Sequence, residues 1–219
     1  MSGFFITGTD TGVGKTFVAT VLIRSLVRKG WHVAAMKPVA AGAETTIAGL
    51  RNDDAVLLAR AANVVAPYQT INPYCFAAPV SPHIAAKEAG IVIDIAAIRR
   101  EFDALVNGAD CVIVEGAGGW LAPIGPTETM ADIAIALRLP VILVVGLRLG
   151  CLNHALLTAQ AVRASGLRLA HWVGNEIDPG FARRAENIAT LSAQLGAPLA
   201  VLPCGAVPAS DSLAIDVSL

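Results

Sequence analysis

A glycine-rich stretch near the beginning of the sequence constrains the fold more than any other feature. Residues 8–16 read Gly-Thr-Asp-Thr-Gly-Val-Gly-Lys-Thr, and they lie between a β-prone run at residues 4–8 and a helical apolar pattern at residues 14–29. Glycines in such a turn let backbone N–H groups converge on phosphate oxygens, and the N-terminus of the following helix attracts negative charge. The stretch therefore predicts a phosphate-binding P-loop, with one residue more than the strict pattern between Gly8 and the Gly-Lys pair.

Lys15 and Thr16 indicate which phosphate compound this loop takes. Lys15 can reach the outer phosphates of a nucleoside triphosphate, and Thr16 can offer its hydroxyl to Mg²⁺. A plain glycine turn with a solvated lysine is one alternative. A dinucleotide-binding turn is another, but it needs a glycine where the sequence has Phe17 and an acid where the second strand ends in Met36-Lys37. We therefore expect a triphosphate site.

Strand and helix patterns alternate along the rest of the sequence. Such alternation predicts an α/β fold in which a doubly wound, mainly parallel β-sheet is flanked by helices, like that of P-loop NTPases. The 219 residues contain no linker or repeat, so we expect a single domain over residues 1–219, with a possible loose C-terminal tail at residues 208–219. The strands are expected at residues 4–8, 32–37, 111–115, 140–145, 169–174 and 199–202, and the helices at 14–29, 55–62, 93–106, 131–137, 152–164 and 181–195, with one more beginning at Ser81-Pro82.

Composition favours small-molecule chemistry. The formal net charge is −1 and no cluster of lysines and arginines occurs, so we expect no nucleic-acid or membrane partner. The most apolar run, residues 139–149, is interrupted by Pro140 and is shorter than the roughly 20 residues that a membrane helix needs. Hydrophobic residues make up 55% of the chain and charged residues 15%, which indicates additional surface buried against a partner and favours a dimer.

The N-terminus and the cysteines predict a cytoplasmic protein. The sequence does not begin with a basic region followed by an apolar stretch, so we expect no secretory signal. The four cysteines lie far apart in the sequence, and a chain of this length does not need disulfides. We expect reduced thiols at Cys75, Cys111, Cys151 and Cys204.

Polar residues at predicted strand ends and helix starts are the candidates for metal binding and catalysis. Glu115 ends an apolar strand, and Asp54 opens the helix after the second strand, with Asp53 as the alternative. Mg²⁺ on a triphosphate needs only one or two carboxylates, although acids in a first helical turn often serve only as caps. Lys37 ends the second strand in front of Pro38, where it is either a surface lysine or a cation that stabilises phosphoryl transfer.

Five sequence blocks resemble those of the dethiobiotin synthetase family. They are residues 7–16, Lys37-Pro38-Val39, Pro-Val-Ser-Pro-His at 79–83, Val-Glu-Gly-Ala-Gly-Gly-Trp at 114–120 and Leu-Gly-Cys-Leu-Asn-His at 149–154. The blocks follow the family order over nearly the whole chain, and the family's P-loop is similar in carrying the extra residue. The resemblance implies an ATP- and Mg²⁺-dependent ligase of biotin biosynthesis. In its reaction 7,8-diaminononanoate takes up CO₂ as a carbamate, ATP phosphorylates this to a carbamic-phosphoric anhydride, and ring closure gives dethiobiotin with release of ADP and phosphate.

The resemblance also implies roles for individual residues. Thr11, Lys15 and Lys37 would surround the carbamate and the γ-phosphate, and Thr16, Asp54 and Glu115 would hold Mg²⁺. The other nucleotide contacts would come from Gly12, Val13, Gly14, Phe17, Gly116, Ala117, Gly118, Asn175, Glu176, Pro203, Cys204 and Gly205, with Asn175 reading the adenine. The substrate would also contact Pro79, Ser81 and Gly118, and its carboxylate would lie at the helix N-terminus formed by Gly150, Cys151, Leu152 and Asn153 in the neighbouring subunit of a homodimer.

Two positions depart from the family pattern. Ala41 stands where the family often has a serine that hydrogen-bonds the substrate, and Asn187 where some members have a tyrosine that reaches the substrate carboxylate. Because of these two departures, the sequence does not predict the affinity for the substrate. His83 and His154 lie near helix starts, where histidines mostly have structural roles, so no general base is assigned.

Two other functions compete with the ligase. A related amidoligase could use the same loop and Glu115 on a different carboxylate or amine. A partitioning or switch ATPase has a similar sheet and loop, but it carries a lysine four residues before Gly14, where this sequence has Asp10. The sequence therefore favours the dethiobiotin-forming ligase.

Overall fold

Strands and helices alternate along the residues that the structure describes, which are 3–206 and 215. In this computed structural model they are, in chain order, β1 (Gly3–Gly8), α1 (Lys15–Arg28), β2 (Val33–Met36), β3 (Val39–Ala40), β4 (Glu44–Thr46), β5 (Gly49–Arg51), α2 (Asp53–Ala61), α3 (Tyr68–Ile71), β6 (Tyr74–Cys75), α4 (Pro82–Glu88), α5 (Ile95–Val106), β7 (Cys111–Glu115), α6 (Met130–Leu137), β8 (Val141–Leu147), α7 (Cys151–Ala164), β9 (Leu169–Glu176), α8 (Arg184–Leu195) and β10 (Ala200–Leu202). Within these residues, no helix is both long enough and apolar enough to span a bilayer.

Six of the strands form one parallel sheet in the order β10-β9-β8-β1-β7-β2. β1 is central, because it pairs with β7 on one side and with β8 on the other, and helices cover both faces. The predicted α/β fold with a doubly wound, mainly parallel sheet is confirmed. In such folds ligands bind beyond the carboxyl ends of the strands where the strand order reverses, which here is the end of β1.

Alternate residues of the central strands pack into opposite cores. Phe4 and Ile6 of β1 join α1 and α2 in one core, whereas Phe5 joins α5 and α6 in the other. The same alternation in β7 puts Ile113 into the core of α1 and α2. Glu115 follows two residues later, so its side chain is directed toward the α1 face, at the edge of the sheet where the P-loop lies.

Two long helices begin later than the sequence patterns predict. The helix predicted from residue 93 begins at Ile95, because the Asp94 carboxylate accepts a hydrogen bond from the Ala96 N–H at 2.8 Å and caps the helix there. The helix predicted from residue 181 begins at Arg184, because Arg183 has a left-handed φ of 55°. The other predicted ends differ from the observed ones by at most two residues.

The sequence patterns do not reveal the short elements between β2 and α4. β3 and β6 form a parallel pair, β4 and β5 form an exposed antiparallel hairpin, and α3 contains four residues. Segments this short cannot display a strand or helix period. They nevertheless hold the end of β2 in place, since the Lys37 N–H donates a hydrogen bond to the Ile71 carbonyl at 2.7 Å.

The C-terminal segment is described only at Ile215. Residues 207–214 and 216–219, which include most of the predicted loose tail, lie outside the described residues. Ile215 is buried in the core of α1 and α2, and its N–H donates a hydrogen bond to Ser25 Oγ at 3.0 Å. The chain is therefore attached to the core at Ile215.

Candidate active site

A cleft of about 890 Å³ opens beyond the carboxyl ends of β1, β2 and β7. The P-loop and the start of α1 form one wall, and the start of α2 and the N-terminus of α4 contribute to another. Most of the predicted catalytic, metal-binding and substrate residues meet here. The predicted site residues that line the cleft, with the nucleotide contacts included, are Thr11, Gly12, Gly14, Lys15, Thr16, Lys37, Asp54, Pro79, Ser81, Glu115, Ala117 and Gly118.

The P-loop turns at Gly14, immediately before α1 begins. Gly14 is the N-cap of α1 and has a left-handed φ of 87°, and a Cβ atom there would overlap the side-chain amide of Asn175. Asn175 Nδ2 donates a hydrogen bond to the Val13 carbonyl at 2.9 Å. Only glycine fits this position without displacing its neighbours. The first turn of α1, with its free N–H groups, then forms part of the cleft wall.

Lys15 is a buried cation at the base of the P-loop. Its Nζ donates a hydrogen bond to the Asp10 carbonyl at 3.0 Å, and only 7% of the residue surface is exposed. Burial, together with the nearby charge of Lys37, lowers the pKa of Lys15 to about 8. An ammonium that has lost much of its hydration gains from an anionic partner, which is what a nucleotide phosphate supplies.

Lys37 joins two carboxylates in the interior of the cleft. Its Nζ lies 2.6 Å from Glu115 Oε1 and 2.9 Å from Asp54 Oδ2. Burial alone would lower the pKa of Lys37, but the charges of Glu115 and Asp54 outweigh it and raise the pKa. For Asp54, burial is outweighed by Lys37, which lowers the pKa of that carboxyl. Glu115 is fully buried, and this burial raises the pKa of its carboxyl against the opposing charge of Lys37.

Oxygen atoms suited to Mg²⁺ surround the Lys37 ammonium. Thr16 Oγ1 donates a hydrogen bond to Glu115 Oε1 at 2.9 Å, so oxygens of Thr16, Asp54 and Glu115 come together in one place. Glu115 Oε2 is buried and has no hydrogen-bond partner among the described residues, a costly arrangement that a bound cation would relieve. The described ranges hold no group of three or more acidic, histidine or cysteine side chains placed to bind a metal alone. Mg²⁺ fits such a site, because it takes further ligands from phosphates and water.

Asp54, rather than Asp53, faces the cleft. The Asn52 side chain caps α2 by accepting a hydrogen bond from the Ala55 N–H at 3.3 Å. The cap is therefore made by Asn52, and Asp54 reaches Lys37, whereas Asp53 is exposed and does not line the cleft. Of the two alternatives left open by the sequence, only Asp54 lies beside the other candidate ligands.

Some lining residues of the cleft escape sequence reasoning. Asn52 lies in the cleft wall, and its Nδ2 donates a hydrogen bond to the Ala41 carbonyl at 3.4 Å. Its position as a helix cap beside Asp54 is the signal that could identify it. Ala41 also lines the cleft, so the side chain at this departure from the family pattern borders the site. The remaining lining residues are Ala40, Val80, Pro82, Ile84, Gly119, Ala122 and Pro123.

The residues predicted to bind the nucleotide base lie beside the P-loop but outside the cleft. Asn175 and Glu176 end β9, and Asn175 pairs with Leu202 of β10, so residues 203–205 follow at the same edge of the sheet. Glu176 forms an ion pair with Arg184 at 2.7 Å. Three further predicted nucleotide residues also lie outside the cleft lining, namely Val13, Phe17 and Gly116.

The helix N-terminus predicted to bind the substrate carboxylate also lies apart from the cleft of its own chain. Gly150 is the N-cap of α7 with a left-handed φ of 94°, and Cys151 is buried whereas Asn153 is exposed. Arg148, just before this turn, forms an ion pair with Asp10 of the P-loop at 2.6 Å. Residues 150–153 of the same chain are not among the residues that line the cleft.

His83 and His154 do not reach the cleft. His83 lines a second cavity of about 620 Å³ between α4 and residues 124–128. Its Nδ1 is buried and has no hydrogen-bond partner in the part of the chain that the structure describes. His154 is exposed on α7. Neither residue is placed to transfer a proton to a group bound in the cleft.

Comparison with known proteins identifies the family. The chain matches a family model described as an AAA domain over residues 2–214. It is 48% identical over 199 residues to the ATP-dependent dethiobiotin synthetase BioD of Pseudomonas aeruginosa, an alignment that covers 90% of this chain and 87% of that protein. The chain belongs to the ATP-dependent dethiobiotin synthetase family. A second dethiobiotin synthetase, from Aromatoleum aromaticum, is 50% identical over 209 residues, with 94% of this chain and 93% of that protein covered.

Solved structures relate this dethiobiotin synthetase family member to other proteins by fold. A chain of the MinC:MinD cell division protein complex of Aquifex aeolicus gives a TM-score of 0.57 at 16% identity, covering 93% of this chain and 81% of that one. The signal recognition particle receptor FtsY of Elizabethkingia anophelis gives 0.51 at 18% identity, covering 99% of this chain and 62% of that one. At such identities the likeness concerns the fold alone. The resemblance predicted from the five sequence blocks is confirmed by the dethiobiotin synthetase relatives.

Proposed function

We propose that this chain is an ATP-dependent ligase of biotin biosynthesis that closes the ureido ring of dethiobiotin from 7,8-diaminononanoate and CO₂. The observation that carries the proposal is the placement of Lys15 and Lys37 in one cleft with the oxygens of Thr16, Asp54 and Glu115. Membership of the dethiobiotin synthetase family supports the choice of substrate.

The reaction consists of two displacements after carbamate formation. One amine of the substrate takes up CO₂ and loses a proton, and an oxygen of the carbamate attacks the γ-phosphorus of ATP while ADP leaves. The second amine then attacks the carbamoyl carbon, phosphate leaves, and the amine loses a proton as the ring closes. Negative charge accumulates on phosphate oxygens in both steps, so catalysis needs positioning and positive charge more than covalent help.

Two lysines supply the positive charge. Lys15 would exchange its bond with the Asp10 carbonyl for the phosphates of ATP. Lys37 would turn its ammonium from the two carboxylates toward the carbamate and the transferred phosphoryl group, where it would stabilise the developing charge. Thr11 lines the cleft at the P-loop, where its hydroxyl would hold the carbamate. Pro79, Ser81 and Gly118 border the same cleft and would contact the substrate.

Thr16, Asp54 and Glu115 would hold Mg²⁺ together with the phosphates of ATP. The buried Glu115 Oε2, which lacks a partner among the described residues, supports this assignment. The bound ion would neutralise phosphate charge. Thr16 and Glu115 already contact each other, so their contribution needs little rearrangement of the chain.

Asn175, with Glu176 and residues 203–205, would receive the adenine. An asparagine amide offers a donor and an acceptor, which match one edge of adenine. The hydrogen bond from Asn175 to Val13 places this side chain directly beside the P-loop. It also uses only one of the two amide hydrogens of Asn175, so a further donor is available.

We also propose that the active form is a homodimer in which the substrate site lies at the subunit interface. Large apolar side chains are exposed at the cleft, where Val80 and Ile84 are 41% exposed, and at α7, where Leu149 just before the helix is 90% exposed and Leu157 in its middle is 56% exposed. Burying them in a dimer would remove apolar surface from water. The α7 N-terminus of one subunit would then bind the substrate carboxylate in the cleft of the other.

A cytoplasmic location is part of the same proposal. Cys75, Cys111, Cys151 and Cys204 are free thiols. Cys111 and Cys151 are buried, and burial raises the pKa of Cys111 to about 12, which keeps this thiol protonated. Free thiols are typical of reducing compartments.

The test is an assay of ADP release by the purified protein with 7,8-diaminononanoate, bicarbonate, Mg²⁺ and ATP. We expect ADP release to require the diamine and bicarbonate together, and dethiobiotin to form in equal amount. ADP release that ignores both compounds would indicate a switch ATPase. ADP release that requires another amine or carboxylate would indicate a different amidoligase.

A further inference from the structure

A ring of hydrogen bonds joins the backbone of Lys37 to the helix that carries Asp54. Asn72 Nδ2 donates a hydrogen bond to the Lys37 carbonyl at 2.6 Å, and Asn72 Oδ1 accepts one from the Tyr68 hydroxyl at 3.1 Å. The same hydroxyl accepts a hydrogen bond from the Asn52 N–H at 2.8 Å, and Asn52 is the N-cap of α2. The ion pair between Lys37 and Asp54 completes the ring.

Tyr68 connects the two halves of this ring. Its hydroxyl is donor to Asn72 and acceptor from Asn52, so both of its main hydrogen-bonding functions are used. The Arg51 guanidinium lies 4.1 Å from the centre of the Tyr68 ring and packs against it. Burial raises the pKa of Tyr68 to about 12, so the hydroxyl keeps the proton that it donates. Removal of this oxygen would break the hydrogen-bonded link between Asn52, the N-cap of α2, and Asn72.

Asn72 fixes the backbone of Lys37. It is 2% exposed, and its Nδ2 also donates a hydrogen bond to the Tyr74 carbonyl at 3.2 Å. The Lys37 N–H is bonded to the Ile71 carbonyl, so both backbone polar groups of Lys37 are held by residues 71 and 72. The Lys37 side chain can therefore change partners while its backbone stays in place.

We propose that Tyr68 and Asn72 are positioning residues, which fix the Lys37 backbone relative to Asp54 and so aim the Lys37 ammonium. Neither residue lines the cleft, so both act through Lys37 and Asp54 rather than on bound substrate. The inference rests on the proposed function, in which Lys37 stabilises the transferred phosphoryl group. Misplacement of a catalytic group by about 1 Å can reduce a rate by up to roughly 100-fold, even when the mutated residue is far from the reacting atoms.

The first experiment compares two tyrosine variants. Tyr68→Phe removes only the hydroxyl group from the ring of hydrogen bonds. The aromatic side chain still packs against Arg51. Tyr74→Phe is the matched control, because the Tyr74 hydroxyl also accepts a backbone hydrogen bond, from Asp94 N–H at 2.9 Å, but does not contact the ring through its side chain. We expect Tyr68→Phe to lower kcat for ADP release roughly tenfold and to change the KM for ATP less than about twofold, because the P-loop lies outside the ring. Tyr74→Phe should keep kcat within about twofold of the wild type.

The second experiment tests whether Tyr68 acts through Lys37. In a Lys37→Ala background, where the ammonium is absent, Tyr68→Phe should cause no further loss of kcat. Asn72→Ala should show the same pattern as Tyr68→Phe in both backgrounds. Equal loss of kcat with and without Lys37, or equal effects of Tyr68→Phe and Tyr74→Phe, would overturn the proposal.

A third measurement does not depend on turnover. In hydrogen-exchange experiments on the full chain, Tyr68→Phe should speed exchange of the Lys37 amide several-fold, and Tyr74→Phe should leave it unchanged. If the wild type forms no dethiobiotin, the proposed function fails, but the exchange result still decides whether Tyr68 holds Lys37. An unchanged Lys37 amide in Tyr68→Phe would overturn the positioning role even in an active enzyme.

Discussion

The Lys37 ammonium lies 2.6 Å from Glu115 Oε1, and both side chains are almost fully closed to solvent. Such a buried ion pair gains little net stability, but loss of one partner leaves an uncompensated buried charge. The pair thus holds a cation next to the proposed site of phosphoryl transfer. Lys37 is not the surface lysine that the sequence left as an alternative.

Replacement of Lys37 should affect turnover but not the binding of ATP. Lys37→Ala should bind ATP normally, because Lys15 and the P-loop remain, but should lower turnover at least about tenfold, because the charge on the transferred phosphoryl group loses its cation. Without ligands the variant should be destabilised by roughly 3–5 kcal/mol, since Glu115 stays buried without its partner. Calorimetry, steady-state ADP release and denaturant unfolding measure these three effects. Lys87→Ala, at an exposed position of α4, is the control, and unchanged turnover in Lys37→Ala would refute the role.

Binding of ATP should draw a proton onto Lys15 at alkaline pH. The folded pKa of Lys15 is about 8, below its ordinary value of 10.5, so between these values the free protein lacks a proton that the unfolded chain carries. Stability of the free protein should therefore rise with pH across this window. Bound phosphates raise the pKa of Lys15, so calorimetry in buffers of different ionisation heat should show proton uptake at about pH 9 and less at about pH 6.5. Equal uptake at both values would contradict the low pKa.

Gly14→Ala should abolish the P-loop geometry. The new methyl group would overlap the Asn175 amide, and φ is 87° at this position. Gly30→Ala is a matched control, because Gly30 has the same φ of 87° but no atom within 4 Å of a new methyl group. Both variants should lose roughly 1–2 kcal/mol of stability through backbone strain, and only Gly14→Ala should lose ATP binding. Equal ATP affinity of the two variants, measured by calorimetry, would show that the loop tolerates a side chain.

A charged residue at Leu149 should disrupt the proposed dimer. Leu149 is 90% exposed beside the α7 N-terminus, and Leu149→Glu would place a charge in the interface. Val65→Glu is the control, since Val65 is 97% exposed near the amino end of β2. Sedimentation should show monomers for Leu149→Glu and dimers for Val65→Glu, and the KM for the diamine should rise at least about tenfold only in the monomer. A dimeric Leu149→Glu with normal KM would exclude this surface.

The sequence predicts the central part of the fold because a P-loop lies between a strand and the helix that follows it. Its position between strand and helix fixes β1 and α1, and the buried strand that ends in Glu115 supplies a neighbour at the same edge of the sheet. Carboxyl ends of parallel strands lie together, so the proximity of Glu115, Lys37 and the P-loop follows from the order of the elements. The same rule places Lys37 close to Glu115, and Asp54 contacts Lys37 from the start of α2.

Other features depend on contacts that no local pattern records. The ring through Tyr68 and Asn72 forms at the two ends of the short helix α3, and its hydrogen bonds depend on the fold of the whole segment from residue 37 to residue 76. The late start of α8 depends on the left-handed backbone conformation of Arg183, which residues other than glycine rarely adopt. The choice between Asp53 and Asp54 depends on which residue caps α2, and Asn52 takes that position.

The central place of β1 has a consequence for how the chain folds as it is synthesised. Gly3 pairs with Val112 and Phe5 with Val141, so β1 is synthesised before both of the strands with which it pairs. Until β7 and β8 are synthesised, Phe4, Phe5 and Ile6 cannot be buried in a sheet. The P-loop that follows β1 then lacks the sheet edge that positions it. Nascent chains that stop before β7 should therefore be prone to aggregate, and folding should become productive only when β8 is available.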